Sequence, residues 1–133
     1  MSSKGKPYRT IVVDGWEVLV GKGATENDYL TFRVAAKRDA WLHVAGGVPG
    51  SHVIVRNPQA LSVPREVLER AAELAAWYSK ARGARRVEVH VCRVADVSKP
   101  RGAPPGRVSI TNFKKLRVSP VPPPEEPDLA GGE

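Results

Sequence analysis

Asp39, His43, Ser51 and His52 bring a carboxylate, a hydroxyl and two imidazoles into one short stretch, Asp39-Ala-Trp-Leu-His-Val-Ala-Gly-Gly-Val-Pro-Gly-Ser-His-Val-Ile-Val-Arg56, with Arg38 just before it. Three chemistries use such groups. Asp39, His43 and His52, with His90 farther along, are candidate metal ligands, but no HxxxH, HExxH or paired-cysteine spacing accompanies them. A hydrolase would need Ser51 activated by His43 or His52 and oriented by Asp39. Adjacent residues of a strand point to opposite faces, which sets His52 badly for Ser51, and Gly50-Ser51-His52-Val53 lacks the second glycine of a nucleophile elbow. The third chemistry is anion binding. Glycines between Gly46 and Gly50 permit positive φ, and successive backbone N–H groups in such a turn make a concavity for phosphate, with Arg38, Arg56, His43 and His52 around it. The competing explanation is a tight hairpin that needs glycine for geometry alone, and spacing favours neither.

These residues must be positioned by the elements around them. Trp41-Leu-His-Val44 and His52-Val-Ile-Val55 read as the two strands of a hairpin across the glycine turn. Upstream, Arg9–Val13 and Trp16–Val20 flank Asp14-Gly15, a strong short-range hairpin signal. Thr25 followed by Asp28 predicts a capped short helix through about Ala35, with Tyr29, Phe32 and Ala36 on its packed side and Arg33 and Lys37 outward. Pro64 opens a longer amphipathic helix expected to run to about Arg82, its apolar stripe Val67, Leu68, Ala71, Leu74, Ala75 and Tyr78, with Gly83 as its stop. Trp77 at the stripe's edge, like Trp41, is read as a packing residue. Val87, Val89 and Val91 alternate with Glu88, His90 and Cys92 as a half-buried strand. Arg107–Ile110 and Lys114–Val118 restore strand character after a Pro/Gly-rich segment, which predicts an antiparallel hairpin or meander with a basic tip. The expected architecture is α+β: a mixed, mostly antiparallel sheet with one short and one long helix packed on it.

With 133 residues the chain suits one core. Residues 1–7 read as a flexible lead-in, 8–120 as the folded domain, and 121–133 as a disordered, Pro-rich acidic tail. A net charge of +7 understates the body, because Glu125, Glu126, Asp128 and Glu133 all lie in that tail. Nine basic residues between Arg85 and Arg117 face only Glu88 and Asp96. Such a balance points to a polyanionic partner, nucleic acid first. The single Cys92 excludes an internal disulfide and fits a reducing cytosol. No apolar run approaches membrane-spanning length, no signal peptide begins the chain, and Gly21-Lys22-Gly23 is not a P-loop, so a soluble, cytoplasmic protein without a cofactor or metal is expected.

The order Asp14-Gly-Trp16, Asn27-Asp-Tyr-Leu30, Asp39-Ala-Trp-Leu-His43, Pro49-Gly-Ser-His-Val-Ile54, Ala75-Ala-Trp-Tyr-Ser79 and Pro105-Gly-Arg-Val108 resembles the NFACT-R domain of the NFACT proteins of ribosome-associated quality control, some of them once labelled fibronectin-binding. The likeness spans about residues 8–120. It implies an α/β module that binds RNA, such as tRNA or rRNA, and works on the ribosome without catalytic residues. No segment resembles the other domains of the full-length proteins, so a stand-alone NFACT-R protein is expected, and tailing of stalled peptides is not carried over. On this reading Lys99, Arg101, Arg107, Lys114, Lys115 and Arg117, with Arg38 and Arg56, neutralise phosphates, while His43, Ser51 and His52 supply local hydrogen bonds. The alternative is a protein-interaction module that docks on the ribosome or a quality-control factor.

Overall fold

The computed structural model describes residues 5–124. In chain order its elements are β1 (Tyr8–Val13), β2 (Trp16–Gly21), α1 (Ala24–Tyr29) running into a π-helical turn (Leu30–Val34), β3 (Ala40–Val44), β4 (Val53–Val55), α2 (Arg65–Trp77), β5 (Val87–Arg93), a 3-10 turn (Val94–Asp96), β6 (Val97–Ser98), β7 (Ser109–Ile110) and β8 (Lys114–Val118). Six strands form one sheet in the order β1-β2-β4-β3-β5-β8, every pairing antiparallel, and β6 and β7 form a small second ribbon. The fold is α+β, as expected.

Local signals account for the first hairpin. Asp14 and Gly15 both take positive φ, 49° and 85°, the two-residue turn whose twist suits paired strands. Val13 then lies opposite Trp16. The central strands pair with Ala40 opposite Val55 and Leu42 opposite Val53.

Strand alternation sends side chains to two layers. Val18, Val20, Leu42, Val53, Val55 and Val89 face α2, whose Val67, Ala71, Leu74 and Ala75 close over them. Leu19, Trp41, Ile54 and Cys92 point the other way, under Leu30 and the Val94–Val97 segment. At about 1.5–3 kcal/mol for each fully buried aliphatic side chain, the α2 layer is the stronger one, because it holds more of them. Among the described residues no helix is long and apolar enough to cross a membrane.

Three expectations change. The first helix starts from an extended Gly23 with no side-chain cap, and Thr25 lies inside it. Its chain then widens, with Ala35 N–H donating to the Leu30 carbonyl at 2.9 Å, and the extra residue in that turn rotates the helix. Asn27, Leu30 and Thr31 are buried, while Tyr29 and Phe32, expected to pack, are exposed. Second, α2 ends at Trp77 rather than Arg82, because Ser79 leaves the helix to meet Gly50, so Gly83 is not its stop. Third, the last third is not one basic hairpin. β7 pairs with β6 and β8 pairs with β5, which separates the 99–108 loop from the Lys114–Val118 edge strand.

Of the expected terminal segments, residues 1–4 and 125–133 lie outside the described residues. Where the tail begins, Arg70 donates to the Val121 and Pro122 carbonyls at 3.3 and 2.7 Å.

Candidate nucleic-acid interface

The Pro49-Gly50-Ser51-His52 segment is a junction of five parts of the chain. Ser51 N–H donates to the Tyr78 carbonyl at 2.9 Å, and Lys80 N–H to the Pro49 carbonyl at 2.8 Å. Gly50 lies between them against Ser79, and a Cβ there would fall 2.8 Å from the Ser79 Cβ, so close approach requires glycine. The Ser51 hydroxyl donates to the Gly21 carbonyl at 2.6 Å. Asn27 bridges the same segment, its amide N–H donating to the Gly50 carbonyl and its oxygen accepting from His52 N–H.

His52 is 1% exposed. Its Nε2 is 3.0 Å from the Gly106 carbonyl and its Nδ1 2.8 Å from the Thr31 hydroxyl, so the ring carries its proton on Nε2 and accepts from Thr31. Burial, reinforced by nearby His43, pushes its pKa down to about 4. The proton of Ser51 therefore goes to a carbonyl, and both nitrogens of His52 are committed elsewhere. These contacts describe a structural clamp, not a nucleophile and its base.

Asp39 is also structural. Fully buried, it accepts from Ala36 N–H at 2.9 Å and Asn57 N–H at 2.7 Å, and its carboxylate lies 3.1 Å from Arg56 Nε as an ion pair. Arg56 donates as well to the Val34 carbonyl, and Arg38 to the Asn57 carbonyl. Among the described residues no group of three or more His, Cys, Asp or Glu side chains is placed to hold a metal ion.

The clamp forms one wall of an open groove of about 1130 Å³. The Gly46–Ser51 loop, the Tyr78–Arg82 turn after α2 and the Pro104–Val108 segment surround it, and His43 and His90 lie on its sheet side. Gly46 and Gly47 turn the loop with φ of 78° and 72°. Lys80, Arg82 and Arg107 line the groove and are exposed, whereas no described residue lining it is acidic. Arg82 is oriented by Trp77, with its guanidinium 4.3 Å from the indole centroid and Nε donating to the Trp77 carbonyl.

The sheet beside the groove continues this surface. His43 is opposite His90 and His90 opposite Lys115, a row across β3, β5 and β8. His43 lies alongside Trp41, their rings inclined by 22° at 5.9 Å, and Phe113 covers His90 at 4.4 Å. Burial lowers the His43 pKa against opposing pulls from the Val44 and Gly50 backbones. Its imidazole is thus neutral at neutral pH.

The residues read together in the sequence separate by role. His43 and Arg107 line the groove, and Lys115 and Arg117 stand on the same sheet face as His90. Arg101 is exposed on the 99–108 loop. Lys114 has the opposite strand parity, on the side of Leu116 and α2. Lys99 is held internally, 2.9 Å from Asp28 and donating to the Pro104 and Arg107 carbonyls, so it closes its loop. Arg38, Ser51, His52 and Arg56 are bound up in the contacts above. The sequence reading ran the helix on through Lys80 to about Arg82; the early exit at Ser79 is what turns both toward the groove.

A small antiparallel α+β domain with a cationic groove beside an aromatic sheet face is the class these features define. Residues 6–112 match the NFACT protein RNA binding domain, and the chain belongs to that family. It is 43% identical over 117 residues to the Rqc2 homolog RqcH of Streptococcus suis and 37% identical over 122 residues to that of Bacillus subtilis. These matches take in 87% and 88% of this chain but 21% of each relative, so the chain spans about a fifth of the length of the curated relatives it matches. Among solved structures, the C-terminal part of the fibronectin/fibrinogen-binding protein from Streptococcus suis superimposes with a TM-score of 0.79 at 40% identity, over 90% of this chain and 47% of that one.

Proposed function

We propose that this domain binds RNA, tRNA or rRNA, in the cytoplasm as part of ribosome-associated quality control, and does so without catalysis. One observation carries the reading: a groove lined by Lys80, Arg82, Arg107 and three histidines with no carboxylate among its described lining residues. Family membership and the RqcH relatives support it. Arg101, Lys115 and Arg117 extend the positive surface. Ser51, His52, Arg38, Arg56 and Lys99 contribute by holding the walls in place.

Release of counterions dominates such binding. Six phosphate contacts lower affinity roughly a thousandfold between about 50 and 200 mM salt. Titrating tRNA and rRNA fragments over that range, with Lys80→Glu/Arg82→Glu beside the unaltered protein, tests the proposal. The variant is expected to bind more weakly and with a shallower salt dependence while melting normally. Binding indifferent to salt, or unchanged in the variant, defeats it, and retention on ribosomes after nuclease treatment would assign the surface to protein docking.

A further inference from the structure

The groove separates its charges from its rings. Lys80, Arg82 and Arg107 are exposed, whereas half-buried His43 and His90 and the buried Trp41 lie on the sheet side. A duplex presents phosphates outward and keeps its bases stacked, so it meets cations and has no use for recessed ring faces. An unstacked strand presents both, with phosphates at the rim and base faces inside.

We propose that the groove takes a single-stranded RNA segment, with one or two unstacked bases seated against His43 and His90 and the flanking phosphates on Lys80, Arg82 and Arg107. The inference rests on the RNA-binding reading above and narrows it to unpaired loops or ends. The groove's volume of about 1130 Å³ suits a few nucleotides. Its shape is fixed in advance, since Gly50 is locked to Ser79 and His52 to Gly106. His43 is held alongside Trp41 and is uncharged, which leaves its ring a flat, weakly hydrated surface for a base. Gly46 and Gly47, which also line the groove, have open space where a side chain would stand.

The test compares a blunt RNA stem with the same stem carrying a short single-stranded overhang that contains a fluorescent adenine analogue. The overhang is expected to bind about tenfold more tightly, the value of one base stacked on an aromatic ring, and to change the analogue's fluorescence on binding. His43→Ala and His90→Ala, each checked for native melting, should abolish the advantage of the overhang over the blunt stem together with the fluorescence change. Equal binding of both RNAs with unchanged fluorescence overturns the inference while leaving RNA binding intact. Failure of both RNAs to bind removes the reading it stands on, and the inference with it.

Discussion

His52 is neutral because it is buried, and the consequence is a pH dependence of stability. In the unfolded chain its imidazole protonates at the ordinary 6.5, in the folded chain only near 4, so between those values the unfolded state binds a proton that the folded state refuses. Stability is complete above pH 6.5 and declines as pH falls toward 4, by an amount on the order of 3 kcal/mol. His43, also lowered, adds to the decline in the same direction. Denaturant midpoints across this range should fall for the native protein and fall less steeply for His52→Gln, even though that variant starts less stable. An equally steep profile in the variant would assign the effect to other groups. The sequence supplied the residue types of this motif but not their exposure, since the burial of His52 depends on Gly106, fifty-four residues away. For the same reason Ser51 and His52 read equally well as ligand contacts or as scaffold until their partners were in view.

Elements whose signals are local were legible in the sequence. The Asp14-Gly15 turn and the alternating valines of β5 needed no distant partner. The end of α2 did. Nothing in Ala75-Ala-Trp-Tyr-Ser79 stops a helix by itself; Ser79 leaves it because Gly50 arrives alongside, and its hydroxyl then accepts from Ala81 N–H at 3.0 Å while donating to the Ala76 carbonyl. A reciprocal pair of substitutions tests this contact. Gly50→Ala places a methyl 2.8 Å from the Ser79 Cβ and should cost about 1–3 kcal/mol in chemical denaturation. Ser79→Gly removes the opposing Cβ, so the double variant should recover part of that loss beyond the sum of the single effects. Additive losses would show that the loop and helix end are not coupled through this approach. The coupling matters for the groove, because the same contact sets Lys80 and Arg82 on its rim.

For the whole molecule, net charge was legible and its distribution was not. A count of +7 does not tell which cations already have partners. On the exposed side of α2, Arg65 pairs with Glu69 at 2.9 Å and Arg70 with Glu73 at 3.0 Å, and Lys99 is paired with Asp28. Lys80, Arg82, Arg107, Lys115 and Arg117 are in no ion pair among the described residues, and they share the groove and the sheet face beside it. Arg65 and Arg70 on α2 are thus paired, while the groove and the sheet face beside it carry cations without an ion-pair partner among the described residues, although Glu88 stands opposite Arg117 on that face. Adjacent lysines on β8 turn this asymmetry into a measurement, because Lys115 is cross-strand from His90 on the free face while Lys114 belongs to the α2 side. Both are exposed, so reversing either should move folding stability by no more than about 0.5 kcal/mol. Lys115→Glu should weaken RNA binding several-fold and reduce the salt slope by about one unit, the signature of one lost phosphate contact. Lys114→Glu, which changes the net charge identically, should have a much smaller effect. If the two variants weaken binding equally, RNA responds to the overall charge or wraps the β8 edge, and the groove face has no privileged role; if only Lys115 matters, geometry rather than net charge directs the RNA to that face.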